Sequence, residues 1–245
     1  MKLNQKPRKT ASNRVEPSRL HGIERLSPRR NGEDTRERIL NAAEQLFAAH
    51  GFHGTSMRDV ASAIPCGIAL VTYHFGTKET LFSLVIKRRA TYMAQARIHA
   101  LDAARVKAQG KPIPVEDLVS GYVWVFVERS VAGGEGWKNY SRFVARHANS
   151  PEFANILGDH YDPVARQYLD EFERTFPHMP QKDLYYAFSF LVGTMVSTVA
   201  EPGRVEQLSC GQVKANDVEE VFRRMLPFLS AGFKSLVPNL NTPVG

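Results

Sequence analysis

Histidine and carboxylate side chains crowd one stretch of this chain: His147, Asp159, His160 and Asp162. Groups of these types could ligate a metal ion or relay a proton. Their placement argues against that chemistry. His147 and His160 fall on different predicted helices, and the sequence contains no HExxH, GxSxG, CxxC or dinucleotide-binding fingerprint. The GGEG run at 133–136 has no preceding strand and no Gly-Lys-Ser/Thr ending, so it is not a phosphate loop. Cys66 and Cys210 lie far apart without metal-ligand spacing, as expected of reduced thiols. A polar surface explains the His/Asp stretch best: no catalytic residue, no metal, no cofactor and no enzymatic activity are expected.

The chemistry of this chain lies upstream, in residues 34–82. Asp34 can accept from the first-turn N–H groups of a helix, with Glu37 three residues on. Ile39, Ala43, Leu46, Phe47 and Ala49 recur at helical spacing, and Gly51 is free to end the helix in a left-handed conformation. Thr55 or Ser56 caps a short second helix with Met57, Val60 and Ala61 on one side. Pro65 and Gly67 force a turn. A third short helix runs from Ile68 to about His74, Gly76 breaks it, and Thr77 caps the next. Two short helices joined tightly behind a longer one form a helix-turn-helix. The major groove of DNA is about 12 Å wide and accepts one α-helix, which the second helix of such a motif supplies.

These residues resemble the N-terminal domain of the TetR (tetracycline-repressor-like) transcriptional regulators. The likeness is carried by AAEQLFAAHGFHGTSMRDVA, Leu70-Val71, Tyr73-His74-Phe75-Gly76, Lys78-Glu79 and Leu81-Phe82. It implies an all-α fold: an N-terminal three-helix helix-turn-helix domain and a C-terminal helical ligand-binding and dimerisation domain. By position in the motif, Thr55, Ser56, Tyr73, His74, Thr77 and Lys78 are expected to contact phosphates, whose oxygens suit such side chains and free helix-terminal N–H groups. Gly67, Ile68, Ala69, Leu70 and Thr72 would face the groove, with Thr72 reading a base edge and Leu70 or Ala69 touching thymine methyls. This chain departs from the pattern. Ile64-Pro65-Cys66-Gly67 replaces the common Ala-Gly-Val-Ser, and Thr72 stands where many relatives have Tyr or Asn. So apolar a recognition helix leaves few direct hydrogen bonds and more work for DNA shape.

Residues 1–30 hold nine Lys/Arg against Glu16 and Glu24, which equals the whole chain's net charge of +7. With three prolines and little apolar material, residues 1–32 are expected to form a disordered basic arm. The arm suits a salt-dependent phosphate or minor-groove contact, and equally a solvated tail. No run of 18 apolar residues is present, so no membrane span is expected, nor is a signal peptide. The expected organisation is a DNA-binding domain over 33–80, a helical body over 81–237 and a tail over 238–245.

In the body, helices are predicted over 77–108, 115–132, 137–147, 151–158, 162–176, 181–200 and 217–236. Along the first, Leu81, Leu84, Val85, Arg88, Tyr92 and Ala96 share a side, and Lys87, Arg88 and Arg89 read as a solvated cationic face. Residues 181–200 are nearly apolar all round and must be buried. With 217–236, kinked at Pro227, they are expected to form a homodimer interface of four helices. Two heads would then face a pseudo-palindromic operator on double-stranded DNA. An effector pocket is expected, lined by Tyr92, Trp124, Trp137, Phe143, Phe190 and Met195, with Phe126, Phe188 and Ala96 as further candidates. Arg142, Arg146 and His147 could supply a head-group site. The body also resembles, through FSFLVGTMVSTVA and Leu-Ser-Cys-Gly, TetR-type regulators that sense fatty acyl compounds. The expected function is a cytoplasmic, nucleoid-associated bacterial repressor, released from its operator by a small apolar ligand, of which a fatty-acyl compound is one candidate. DNA binding alone does not fix the sign of regulation, and a nonspecific DNA binder is the competing reading.

Overall fold

A computed structural model describes residues 28–148, 150–200, 203–214 and 217–238. The basic arm up to residue 27, and the tail from 239, lie outside the described residues. Ten α-helices and one 3-10 turn are present among the described residues, with no strand. The head consists of α1 (Pro28–His50), α2 (Met57–Ser62) and α3 (Ile68–Phe75). The body holds α4 (Lys78–Ala108), α5 (Val115–Ala132), α6 (Glu135–His147), a 3-10 turn (Pro151–Phe153), α7 (Ala154–Thr175), α8 (Gln181–Val199), α9 (Arg204–Leu208) and α10 (Val218–Ser235).

Local sequence explains most boundaries. Gly51 takes φ +75°, Gly76 φ +67°, and each follows the last residue of a helix or its cap. Thr77 accepts from the Thr80 N–H at 3.2 Å and so caps α4. The start of α1 differs from expectation. The helix is already formed at Pro28, so Asp34 is an exposed interior residue and not a cap. The predicted break in α7 is also absent. Gly158 and Pro163 both lie within one continuous helix, because Leu157, Val164, Tyr168 and Phe172 share a face buried in the body. Packing of that face outweighs the missing Pro163 N–H and the flexibility of glycine.

The buried stripe of α4 is Leu81, Phe82, Val85, Ile86, Ala90, Met93, Arg97, Leu101 and Ala104. It is rotated from the expected one, leaving Tyr92 exposed. Helix α4 packs on α1, α5 and α7, and α1 packs on α6, so head and body share one core. On α8 the apolar character divides between two faces. Leu184, Phe188, Leu191 and Met195 are buried, whereas Tyr185, Tyr186 and Phe190 are exposed.

Candidate nucleic-acid interface and body cavity

The helix-turn-helix is held by short-range bonds. Ser56 Oγ accepts from the Asp59 N–H at 3.2 Å, and Asp59 Oδ2 accepts from the Ser56 N–H at 2.8 Å. This reciprocal capping box starts α2. The Ser56 hydrogen bonds lower the Asp59 pKa below the usual carboxylate value. The chain turns through Ile64–Gly67, with the Cys66 N–H donating to the Ile64 carbonyl at 2.7 Å. Gly67 then precedes α3 with no side-chain cap, leaving first-turn N–H groups without a side-chain acceptor.

On α3 the division between inside and outside is sharp. Val71 and Phe75 anchor the helix in the core, at 0% and 3% exposure. Ile68, Ala69, Leu70, Thr72 and Tyr73 are exposed, Tyr73 at 82%, and His74 is half-buried. Ser56 and Thr77 lie exposed at the starts of α2 and α4. Two expected phosphate ligands turn inward instead. Thr55 is buried, and its hydroxyl donates to the carbonyls of Gly51 at 2.9 Å and Leu46 at 3.2 Å. Lys78 Nζ donates to the carbonyls of Phe52 at 3.1 Å and Thr55 at 3.2 Å, and lies 4.1 Å from the centroid of the Phe52 ring. Lys78 thus satisfies carbonyls past the end of α1 and pins the start of α4 to them. That is the reason for a cation in the first turn of a helix, where the dipole disfavours it.

Behind this surface, Phe82 sits at the centre of an aromatic cluster. Its ring centroid lies 5.2 Å from Phe47, 5.0 Å from Phe52, 4.9 Å from Phe143, 4.9 Å from Phe153 and 5.1 Å from His147. These rings come from α1, the segment after it, α4, α6 and the 3-10 turn. His147 is buried, with Nε2 accepting from the Phe52 N–H at 3.2 Å and Nδ1 facing the Phe143 carbonyl at 2.8 Å. That pairing requires the neutral ring with its proton on Nδ1. Burial, more than any other influence, lowers its pKa. His160 instead faces Ser83 Oγ at 3.4 Å, while Arg142 and Arg146 are exposed. Among the described residues no group of three His, Cys, Asp or Glu could hold a metal ion.

A second tie replaces the expected solvated cationic face. Glu44 of α1 is buried at 2% exposure and accepts from Arg88 Nη2 at 2.7 Å and from Arg89 Nε and Nη2, both at 3.2 Å. Only Lys87 of the three cations is exposed.

The body holds an open-mouthed cavity of about 280 Å³ between α4, α5, α6, α7 and α8. Of the six expected lining residues only Met195 borders it, joined by the further candidates Phe126 and Phe188. The others are engaged elsewhere. Trp124 packs on Phe222 of α10 at 4.8 Å, Tyr92 on Trp137 at 5.2 Å, and Phe143 belongs to the aromatic cluster. Phe190, 62% exposed, lines an open groove of about 540 Å³ with Phe228 of α10. The lining that sequence reasoning missed includes Arg97, Tyr122, Tyr161 and Asp162. One signal was legible: Arg97 sits midway between Met93 and Leu101 on the buried stripe of α4, an odd place for a charge.

An exposed second helix on a buried helix-turn-helix scaffold, joined to an all-helical body with an internal cavity, defines a DNA-binding regulator. Two family models match the chain. One, described as bacterial regulatory proteins, tetR family, covers residues 39–85, and the other, described as the tetracyclin repressor-like C-terminal domain, covers 121–232. The chain belongs to the TetR family of transcriptional regulators, which are not enzymes. It is 29% identical over 129 residues to the HTH-type transcriptional dual regulator CecR of Shigella flexneri, a match spanning 51% of this chain and 56% of CecR. In structure it is similar to HlyIIR, a hemolysin II transcriptional regulator, with TM-score 0.56 and 16% identity over 85% of this chain and 99% of that one. It is likewise similar to SmeT in its triclosan complex, with TM-score 0.54 and 18% identity over 86% of this chain and 96% of that one. At these identities the structural likeness establishes the fold alone.

Proposed function

We propose that this protein is a homodimeric repressor whose hold on a pseudo-palindromic operator weakens when a small, largely apolar molecule enters the body cavity. One observation carries the DNA-binding part: α3 buries only Val71 and Phe75 and exposes Ile68, Ala69, Leu70, Thr72 and Tyr73. A helix anchored by one side and free on the other fits a major groove. In this reading Thr72 reads a base edge, Leu70 and Ala69 meet thymine methyls, and Tyr73, His74, Ser56 and Thr77 meet phosphates. Thr55 and Lys78 act indirectly, by fixing the segment between α1 and α2 against the start of α4. Residues 33–80 form the DNA-binding unit and 81–237 the body, joined by α4.

The dimer reading is supported by Phe190 and Phe228, which are 62% and 73% exposed on neighbouring helices α8 and α10. A second copy would cover these faces in a four-helix contact. The cavity, and the triclosan complex of SmeT, support a small-molecule effector. A cavity of about 280 Å³ suits a compact molecule better than a long acyl chain.

The test is a competition gel shift between the promoter of its own gene and random duplex. Tyr73→Ala should weaken binding to both duplexes alike. Thr72→Ala should change the preference between them. Wild-type protein with no preference for its own promoter would instead indicate nonspecific binding and overturn the operator reading.

A further inference from the structure

The cavity wall contains a buried charge that lacks a counter-ion. Arg97 of α4 is 2% exposed and borders the cavity. Its Nε donates to the Tyr122 carbonyl at 2.9 Å, and its Nη2 contacts only the Met195 thioether, at 3.3 Å. The guanidinium lies 3.8 Å from the Tyr122 ring centroid. Among the described residues no carboxylate forms an ion pair with it, whereas Arg88, Arg89, Arg105 and Arg174 all have one. A buried guanidinium normally has a carboxylate or phosphate partner, because desolvating the charge is otherwise costly. A thioether is a weak acceptor and a ring face neutralises nothing.

We infer that Arg97 is the anion-binding group of the effector site, and that the effector is a compact apolar carboxylic acid. The planar fork of arginine matches a carboxylate in two-point geometry. Most of the remaining wall, including Phe126, Val144, Leu157, Phe188 and Val196, is apolar and suits the body of such an acid. Asp162 does not oppose this assignment. It is exposed and also borders the outer grooves beside Arg166, which places it at the mouth and in water. Tyr161, by contrast, bonds through its hydroxyl to Tyr140, and burial pushes its pKa up to about 12, so it stays neutral. The volume of about 280 Å³ is at the small end for ligand sites, which favours a compact acid. This inference rests on the reading that the cavity, and not the open groove beside Phe190, receives the effector.

The experiment compares matched acids and amides on the full-length protein. Octanoate against octanamide, and phenylacetate against phenylacetamide, are titrated by calorimetry and thermal shift, with acetate as the ionic control. At least one acid should bind about tenfold or more tightly than its amide, the worth of a charge-assisted pair. Arg97→Met should remove that preference, and Arg97→Lys should keep part of it. Without ligand, Arg97→Met should melt no lower than wild type, since it removes an unpaired buried charge. A preference in neither pair, a shift by acetate equal to that by the acids, or a preference surviving in Arg97→Met would each overturn the assignment. The wild-type acid–amide comparison decides the matter even where a variant fails to fold. A gel shift with the same acids is read separately. An acid that binds through Arg97 and leaves the DNA complex intact supports the site assignment and counts against release alone.

Discussion

Replacing Phe82 with alanine tests whether head and body are one cooperative unit. Phe82 is fully buried, and five rings from four other segments close around it at 4.9 to 5.2 Å between centroids. Losing the transfer free energy of a buried phenylalanine costs about 1.5–3 kcal/mol. The cavity left behind adds more, because the neighbours are themselves tied down and cannot collapse inward. His147 is bonded at both ring nitrogens, Phe47 and Phe143 are fully buried, and Phe52 is held under the Lys78 ammonium. Phe82→Ala should therefore reach the middle of the ~3–5 kcal/mol range for such truncations, about 4 kcal/mol. Phe82→Leu, which keeps most of the volume, should cost about 1.5 kcal/mol or less. The assay is urea unfolding at fixed protein concentration, followed by the fluorescence of Trp124 and Trp137 in α5 and α6. The midpoint should fall with an unchanged slope. A loss below about 1.5 kcal/mol for the alanine variant, or alanine and leucine variants that match, would refute the rigid-cluster argument.

Two other perturbations follow from named contacts. Burial lowers the His147 pKa below its ordinary value near 6.5, so the folded protein binds fewer protons there than the unfolded chain. Its stabilising contribution is complete above about pH 6.5 and is lost as pH falls from there through the lower folded value. His160 is shifted the same way by burial and adds to the same acid limb. Urea midpoints measured from pH 8 to pH 5 should decline below about 6.5, and His147→Gln should flatten that decline; an equally steep decline in the variant would contradict the assignment. On the proposed α8–α10 interface, Phe228→Lys should yield monomer in sedimentation experiments and weaken DNA binding. A variant that stays dimeric would remove this face from the interface.

The parts of the fold legible in the sequence are those fixed within one turn or one helix. Ser56 and Thr77 start their helices through atoms three residues away, and Gly51 and Gly76 end theirs through backbone freedom alone. On α3, Val71 and Phe75 lie one helical turn apart and form the buried side that the apolar run 68–71 alone does not single out. What stayed illegible depends on partners brought together by closure of the tertiary structure. Periodicity assigns Lys78 to a solvent-facing turn but says nothing of the Phe52 and Thr55 carbonyls that capture its ammonium. Arg88 and Arg89 read as surface charge until Glu44, more than forty residues away, is placed between them. The body cavity is the least legible feature. Aromatic residues were its expected lining, yet Trp124, Trp137 and Phe143 fill contacts between helices. The cavity is bordered instead by other rings, Tyr122, Phe126, Tyr161 and Phe188, set among smaller side chains.

On the proposed reading, the relative strengths of these contacts restrict how a ligand could reach the DNA. Allosteric coupling between two sites is commonly worth about 1–3 kcal/mol. The expected cost of truncating Phe82, about 4 kcal/mol, exceeds that, and the Glu44 clamp and the Lys78 bonds act beside it on the same junction. Ligand binding at Arg97 therefore cannot unlatch the head from α4. It can only move the two together. Helix α4 is continuous from its cap at Thr77 past Arg97, and the nineteen steps from Lys78 to Arg97 span roughly 28 Å at 1.5 Å each. A small tilt at the cavity is carried along that length as a displacement of α3, and in a dimer the two recognition helices change their separation. Half-sites lie a fixed distance apart, about 34–36 Å for one helical turn, so a shift in separation is enough to favour release while each head stays folded. The Tyr168 hydroxyl, which donates to the Arg97 carbonyl at 2.9 Å, then holds the pivot end of α4 to α7. In this arrangement the effector acts on the lever near its fulcrum, and the Phe82 cluster, the Glu44 clamp and the Lys78 bonds sit where lever and head must not come apart.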